Sequence, residues 1–218
     1  MRLVVFDIDG TLVDSRAHIL HAMARGMAAA GLPPLPDAQV LSIVGLSLPV
    51  AVATLLPRAD PAGREAVVRG YRAAYQARRQ DRESPLYPGA GELLVQLAGR
   101  DDLLLGVATG KSRRGLDALL AAHGLTRCFV TTQCADIHPS KPAPAMLLAC
   151  LHEAGVDADR AVMVGDSSFD MQMAGNAGVA GLGVAWGFHR TGDLIAAGAR
   201  SVAQDFGGLQ AWIEEWAA

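Results

Sequence analysis

The chain has 218 residues, of which 51% are hydrophobic and 19% are charged. This balance is typical of a compact globular protein and excludes a disordered chain. The formal net charge of −3 provides no overall positive field, so the composition argues against binding to nucleic acid or to an anionic membrane. The first apolar run is too short for a secretory signal or a membrane span, and we expect a soluble, cytoplasmic protein.

Four apolar runs have the length and character of buried strands in a parallel sheet. They are residues 3–6, 103–108, 161–164 and 182–186. Helical stretches separate most of these runs. An alternation of strands and helices predicts an α/β fold, with a doubly wound, Rossmann-like parallel sheet and right-handed crossovers.

The interval between the first two predicted strands is too long for a single crossover, and it is helical in character from about Ser15 to Glu83. We therefore predict an all-helical cap domain at 15–85, inserted into an α/β core formed by 1–14 and 86–218. The second half of the cap is rich in arginine, with acidic residues interleaved, which we interpret as a solvated helix face. Its arginines are Arg64, Arg69, Arg72, Arg78, Arg79 and Arg82.

Polar side chains follow the predicted strands at the points where the strands end. They are Asp7 and Asp9 after the first strand, Thr109 after the second, and Asp166 and Asp170 after the third. Lys141 precedes Pro142, which we expect to be the first residue of a helix. Each residue alone could be an ordinary turn or cap residue. Because the carboxyl ends of parallel strands form one crevice, we expect these residues to converge, and converging carboxylates repel unless a cation binds.

The motif Asp-x-Asp-Gly-Thr at 7–11, the Thr and Lys stations, and Gly-Asp-x-x-x-Asp at 165–170 occur in this order. Together they resemble the haloacid dehalogenase-like superfamily, and the helical insertion is similar to that of its phosphoglycolate phosphatase-like branch. The resemblance implies a phosphatase that hydrolyses a small phosphate monoester through an aspartyl-phosphate intermediate. Its partner would be a small phosphorylated metabolite, and the sequence does not decide between a monomer and a homodimer.

The resemblance also implies the catalytic roles. Asp7 would be the nucleophile, and Asp9 would protonate the leaving oxygen and later activate water. Thr109 and Lys141 would bind the phosphoryl group and neutralise its charge. To donate a proton near neutrality, Asp9 needs partial burial and like-charge neighbours, and we expect both.

Counting charges indicates a divalent cation at this site, and hard oxygen ligands favour Mg²⁺ over zinc or copper. The resemblance implies that Asp7, Asp166 and the carbonyl of Asp9 are direct ligands, with Asp170 acting directly or through water. Three glycines complete the expected substrate-binding residues: Gly10, Gly45 and Gly110. Gly110 stands where many relatives have Asn, and Gly45 belongs to segment 44–47, which resembles the specificity loop of the family.

Other functions remain open. A phosphomutase similar to β-phosphoglucomutase, a pyrophosphatase and a nucleotidase would all use the same fold. A P-loop nucleotide enzyme is suggested by Gly110, Lys111 and Ser112 after a strand, but Gly106 leaves three residues between the glycines where the motif needs four. A non-catalytic interaction module would have lost Asp7 or Asp9, and both are present.

Overall fold

The computed structural model of the protein describes residues 1–81 and 83–218. Within these residues, parallel strands form one six-stranded sheet: β1 (Arg2–Phe6), β2 (Leu103–Thr109), β3 (Thr131–Cys134), β4 (Ala161–Gly165), β5 (Ala180–Val184) and β6 (Ala199–Ala203). Their spatial order is β3-β2-β1-β4-β5-β6, and every pairing is parallel. The predicted α/β fold with a doubly wound parallel sheet is confirmed.

The predicted strands differ from the observed ones in three places. β3 and β6 were not predicted, because the sequence Thr-Thr-Gln-Cys contains no apolar run and β6 is a partly exposed edge strand. β5 begins two residues before the predicted 182–186 and ends before Trp186. Gly181 and Gly183 interrupt its apolar pattern, since they leave room for Met171 and Leu194 to pack against the sheet.

Helices cover both faces of the sheet: α5 (Ala90–Ala98), α6 (Arg113–Ala122), α7 (Ala145–Ala154), α8 (Ser168–Asn176), α9 (Thr191–Ala196) and α10 (Phe206–Ala217). Successive side chains of a strand point to opposite faces. Accordingly, Val4 and Phe6 are buried with side chains of α5, α6 and α10, whereas Leu3 and Val5 are buried with side chains of α7 and α8. The central strands β1, β2 and β4 are therefore apolar on both sides, and their polar residues stand at their ends.

Further helices lie between β1 and β2: α1 (Arg16–Ala29), α2 (Asp37–Leu41), α3 (Leu48–Leu55) and α4 (Pro61–Asp81). They share an apolar cluster of their own, which includes Ile19, Met23 and Val52. α1 and α4 approach closely at Gly26 and Gly70, where an added Cβ on Gly70 would lie 2.9 Å from the Cα of Gly26. Arg82, which we interpreted as part of a solvated helix face, lies outside the described residues.

The two connections between the core and this helical segment lie side by side. Asp14 donates its backbone N–H to the carbonyl of Pro85 at 2.9 Å, and Tyr87 donates its N–H to the carbonyl of Leu12 at 3.0 Å. A short antiparallel bridge pairs Val13 with Leu86. Two adjacent crossing points place the helical segment above the carboxyl end of β1. In the described part of the chain, no helix is both long enough and apolar enough to cross a bilayer.

Candidate active site

The sheet topology decides where the polar residues meet. β1 lies between β2 and β4 at the centre of the sheet, so Asp7, Thr109 and Asp166 leave neighbouring strands at the same edge. The backbone N–H of Asp7 still bonds to the carbonyl of Val164, at 3.0 Å, which fixes the residue against β4. This edge is a topological switch point, the usual place for a ligand in an open α/β sheet.

Three carboxylates converge there. Asp7, Asp166 and Asp170 are all buried, and each offers an oxygen within 4.8 Å of the others. Burial raises the pKa of Asp7 to about 6, against the lowering effect of Lys141. Burial, followed by the charges of Asp170 and Asp7, raises the pKa of Asp166 well above its ordinary value. The predicted convergence of these acids is confirmed, and their mutual repulsion adds to the effect of burial on the raised pKa values of Asp7 and Asp166.

Asp166 is held rigidly. Its Oδ1 accepts a hydrogen bond from the hydroxyl of Thr11 at 2.8 Å, and its Oδ2 accepts one from the backbone N–H of Phe188 at 2.8 Å. Gly10 and Gly187 pack so closely around Asp166 that a Cβ atom on either would collide with its side chain. Gly10 therefore leaves room for Asp166, and Thr11 is a functional residue that the sequence analysis did not single out.

Lys141 bridges two of the acids from a fully buried position. Its Nζ lies 2.6 Å from Asp170 Oδ1 and 3.0 Å from Asp7 Oδ1. Burial alone would lower the pKa of Lys141, but the carboxylates of Asp170 and Asp7 raise it above its ordinary value. The expectation that Pro142 begins a helix is wrong, because residues 141–144 form turns and α7 starts only at Ala145.

Both carboxylate oxygens of Asp170 accept hydrogen bonds from other protein groups. Its Oδ1 accepts from Lys141, and its Oδ2 accepts from the backbone N–H and the hydroxyl of Ser167, at 3.0 and 2.6 Å. The same residues form the capping box that begins α8. Asp170 thus orients Lys141 and stabilises the helix, and Ser167 is a second functional residue that the sequence analysis missed.

The acid cluster suits a hard divalent cation. Both carboxylate oxygens of Asp7 are buried, and Oδ1 is ion-paired with Lys141, whereas Oδ2 has no hydrogen-bond partner among the described residues. Each oxygen of Asp166 has one donor and keeps a second lone pair available. Buried anionic oxygens that lack donors are costly in a folded protein unless a cation compensates them. Asp7 and Asp166 therefore have more free ligand capacity than Asp170, whose Oδ2 already accepts from two donors and whose Oδ1 accepts from Lys141.

Lys111 is the most important residue that the sequence analysis did not assign to the site. Its Nζ lies 2.8 Å from each carboxylate oxygen of Asp9 and 3.0 Å from the hydroxyl of Tyr75 on α4. Asp9 is partly buried, as expected, with 16% of its side chain exposed. Asp7 interacts electrostatically with Asp9, but the direct partner of Asp9 is an ammonium group instead of another acid.

The contacts after β2 also bear on the P-loop alternative. Lys111 pairs with Asp9, and the hydroxyl of Ser112 accepts the backbone N–H of Gly115 at 3.2 Å, which caps α6. Thr109 is buried at the end of β2, and its hydroxyl accepts the backbone N–H of Lys111 at 3.3 Å. Lys111 is thus paired with a site residue, and Ser112 caps a helix. These contacts disfavour a nucleotide-binding loop.

Gly110 contacts the loop between α2 and α3. A Cβ atom on Gly110 would lie 2.6 Å from the carbonyl oxygen of Leu46 and 2.7 Å from that of Gly45. The backbone of Gly110 does not have a positive φ, so this contact is what excludes a side chain. The same loop meets the core again where Ser47 donates its backbone N–H to the hydroxyl of Ser140 at 2.8 Å. The loop is thus docked beside Thr109 and Lys141.

A cavity of about 600 Å³ separates the helical segment from the sheet edge. Asp7, Asp9, Thr109 and Lys111 line its polar end, and Gly45 and Gly110 also border it. Apolar side chains from α1 and the α2–α3 region form one wall: Ile19, Met23, Ile43, Val44, Leu46 and Leu48. The volume is that of a small-molecule site, so the arrangement can enclose an organic phosphate.

Comparisons with known proteins agree with this geometry. The profile of the haloacid dehalogenase-like hydrolases matches residues 4–184. The chain belongs to this family. Within the family, it is 37% identical over 210 residues to "Probable phosphatase IndB" of Dickeya dadantii, covering 94% of this chain and 90% of that protein. It is 36% identical over 221 residues to a phosphoglycolate phosphatase of Rhodospirillum rubrum, covering 97% and 90%.

Solved structures of the family share the whole fold. A hydrolase from Pseudomonas syringae superposes with a TM-score of 0.88 at 26% identity, over 99% of both chains. A predicted phosphoglycolate phosphatase from Haemophilus somnus has a TM-score of 0.86 at 22% identity, over 98% of both chains, and this likeness concerns the fold alone. The chain is therefore a phosphatase of the haloacid dehalogenase-like family, in the phosphoglycolate phosphatase-like branch.

Proposed function

We propose that this phosphatase hydrolyses a small phosphate monoester through a phosphoryl group carried on Asp7, with phosphoglycolate as the first candidate substrate. One observation carries the proposal: Asp7 is buried, its Oδ1 is ion-paired with the ammonium group of Lys141 at 3.0 Å, and its Oδ2 has no hydrogen-bond partner among the described residues. A buried carboxylate with one oxygen left without a donor is poorly explained by stability, since burial of such a group costs free energy. It is well explained as a nucleophile.

The residues divide the reaction between them. A carboxylate oxygen of Asp7 attacks phosphorus, the bond to the leaving oxygen breaks, and Asp9 gives a proton to that oxygen. Asp9 then takes a proton from water, which attacks phosphorus and releases Asp7 and phosphate. Because Lys111 contacts both oxygens of Asp9, this pair must separate before Asp9 transfers a proton. Thr109 donates its hydroxyl to the phosphoryl oxygens, and Lys141 offsets their charge.

We propose that Mg²⁺ binds Asp7, Asp166 and the carbonyl of Asp9. When bound, it would offset negative charge on the acids and on the phosphate. The support is the free ligand capacity of Asp7 and Asp166, together with the pKa values of both groups, which burial raises first and neighbouring acids raise further. Asp170 has both oxygens engaged, so we assign it to the positioning of Lys141 and to contact through water.

The predicted cap, residues 15–85, would close over the cavity and exclude bulk water. Support comes from the adjacent crossing points at Val13 and Leu86 and from the docking of the α2–α3 loop beside Thr109. The boundaries of the cap and the cytoplasmic location of the enzyme both remain predictions.

Phosphate release from a panel of esters tests the function. The panel contains phosphoglycolate, p-nitrophenyl phosphate, a sugar phosphate, a nucleoside monophosphate and pyrophosphate, each with Mg²⁺ and with excess chelator. We expect Mg²⁺-dependent release that Asp7→Asn abolishes. Full activity in excess chelator would reject the proposed Mg²⁺ requirement. Full activity of Asp7→Asn would reject Asp7 as the nucleophile. Isomerisation of the sugar phosphate without phosphate release would instead establish a phosphomutase.

A further inference from the structure

The segment that follows β5, residues 186–189, encloses the carboxylate of Asp166. Phe188 donates its backbone N–H to Asp166 Oδ2 at 2.8 Å, and Trp186 donates its indole N–H to the carbonyl of Thr11 at 3.0 Å. The hydroxyl of Thr11 in turn donates to Asp166 Oδ1 at 2.8 Å. This segment therefore supports both oxygens of the proposed metal ligand, one directly and one through Thr11.

The ring of Phe188 packs against the helical segment between β1 and β2. It is partly buried and contacts the apolar cluster that α1, α2, α3 and α4 share. The guanidinium carbon of Arg16, the first residue of α1, lies 5.3 Å from the centre of the ring. On the core side, an added Cβ on Gly10 would lie 2.6 Å from two carbons of the ring. The ring thus stands between the first motif and the helical segment.

The other donor, Trp186, is supported from within the core. Its ring packs against those of Phe206 and Tyr87, with centroid distances of 4.5 and 6.5 Å. All three rings pack against the apolar cluster that α5, α6 and α10 share with the sheet. One oxygen of Asp166 is therefore held from the core, whereas the donor to the other belongs to a residue whose side chain packs against the helical segment.

The orientation of the Phe188 N–H depends on the residues around it. Gly187 approaches Asp166 so closely that a Cβ atom there would lie 2.1 Å from the Asp166 Cβ, and a glycine adds no side chain that could fix the backbone. His189 anchors the far end of the segment, since its Nδ1 accepts the backbone N–H of Ser168 at 3.2 Å. Between these two positions, the ring of Phe188 links the donor to the helical segment.

We propose that Phe188 is a positioning residue that couples the packing of the helical segment to the affinity of Asp166 for Mg²⁺, an inference that rests on the proposed metal site. Hydrogen-bond partners of a metal ligand orient that ligand. Coupling between two binding equilibria is reciprocal. The packed helical segment should therefore tighten Mg²⁺ binding, and Mg²⁺ should stabilise the packed helical segment by the same factor.

Calorimetric titration with Mg²⁺ alone, in the absence of any phosphate ester, tests the effect on the metal. Phe188→Ala keeps the backbone donor and removes the ring. We expect its dissociation constant for Mg²⁺ to rise about tenfold, at the lower end of the loss that follows removal of a partner of a metal ligand. Phe188→Leu keeps an apolar side chain in the cluster and should stay within about threefold of the wild type.

Leu56→Ala is the matched control. Leu56 follows α3 and is also a partly buried member of the same apolar surroundings, but it does not line the cavity. Both alanine variants should melt at a lower temperature than the wild type, and only Phe188→Ala should bind Mg²⁺ more weakly. An equal loss of Mg²⁺ affinity in both variants would indicate a general effect of the helical segment and would overturn the proposal, as would an unchanged affinity in Phe188→Ala.

Hydrogen–deuterium exchange tests the reciprocal effect, and its wild-type measurement needs no variant. Addition of Mg²⁺ to the wild-type protein should slow amide exchange in peptides of α1 and of residues 42–47, and Phe188→Ala should lose this response. Mg²⁺ binding without slower exchange in the wild type would overturn the coupling and leave the proposed function intact. Absence of Mg²⁺ binding to the wild type would instead reject the proposed metal site, and the coupling with it.

Discussion

The two sides of the cavity are built differently. At the sheet edge, Asp166 and Asp170 each have partners on both oxygens, and Lys141 spans two acids, all within the buried core. On the cap side, apolar side chains border the cavity, and the Nη1 of Arg79 has no hydrogen-bond partner among the residues that the structure describes. A side fixed by several bonds suits a chemical step that is the same for every substrate. A side with unused contacts suits the recognition of one leaving group.

Two contacts connect the two sides of the cavity. Lys111 connects Asp9 on the core to Tyr75 on α4, and Gly110 touches the α2–α3 loop through its backbone. Movement of the helical segment would therefore change the surroundings of Asp9, the proposed proton donor, and of the proposed phosphoryl site. Substitutions on the two sides should affect different properties. These are the rate of the chemical step, the stability of the core and the closure of the cap.

The largest effect is expected at the nucleophile. Asp7→Asn should lower kcat by about 10⁴- to 10⁶-fold, as removal of a catalytic nucleophile does in other enzymes. The protein should remain folded, because a neutral amide avoids the burial of a charge, which is the main cause of the raised pKa of Asp7. Circular dichroism and steady-state phosphate release measure the two outcomes. Loss of structure in the variant, or retention of more than a hundredth of the activity, would contradict this assignment.

Removal of Lys141 should show how strongly the core side depends on its ion pairs. Lys141→Met leaves Asp7 and Asp170 buried without their cation, and we expect the free energy of unfolding to fall by about 3–5 kcal/mol. Urea denaturation without divalent cations measures it. Lys111→Met is the control, since its partner Asp9 is more exposed and a smaller loss is expected. Equal losses would mean that the two sides are equally rigid.

Gly110 tests the contact between the two sides. Gly110→Ala should raise KM by about tenfold, because the new methyl group meets the carbonyls of Gly45 and Leu46 and holds the loop away from the core. The melting temperature should fall as well, because the displaced carbonyls are backbone atoms, but no left-handed backbone strain is added at Gly110. Gly192→Ala, which has open space around the new Cβ, is the control. Wild-type kinetics in Gly110→Ala would show that the contact does not limit closure.

The smallest effect is a pH dependence of metal binding. The pKa of Asp7 is raised to about 6 in the folded protein, above the ordinary value of about 3.9. The metal-free protein should therefore lose stability as the pH rises through this interval, because the folded state binds the proton more tightly. Mg²⁺ competes with that proton, so it should raise the melting temperature by several degrees at about pH 7.5 and by less at about pH 5. An equal shift at both pH values would exclude Asp7 as a ligand.

The sequence was most informative at the centre of the sheet. Acids at the ends of adjacent apolar strands had to converge once the sheet was parallel, and Asp7, Asp166 and Asp170 do so. β3 and β6 were not recognised because their sequences lack the apolar run of a buried strand. The edges of the sheet were therefore less predictable than its centre.

Contacts between residues that lie far apart in the sequence could not be predicted from the sequence. Nothing in the order of residues indicates that Lys111 would meet Asp9 and Tyr75, since this contact depends on how α4 lies over the core. The interpretation of the cap arginines as a solvated face is wrong for Arg78 and Arg79, which have buried nitrogen atoms. Thr11 and Ser167 resembled ordinary turn and cap residues, and only the fold brings them to Asp166 and Asp170.

The central claim is that Asp7 carries the phosphoryl group, and trapping the intermediate tests it most directly. The protein is mixed with phosphoglycolate and Mg²⁺, the reaction is quenched with acid within the first turnover, and peptides are analysed by mass spectrometry. The account predicts one added phosphoryl group on the peptide that contains Asp7, at the side chain of that residue, and none when the substrate is exhausted before the quench. Phosphate release with no labelled peptide, or with the label on another residue such as Thr109, would contradict it.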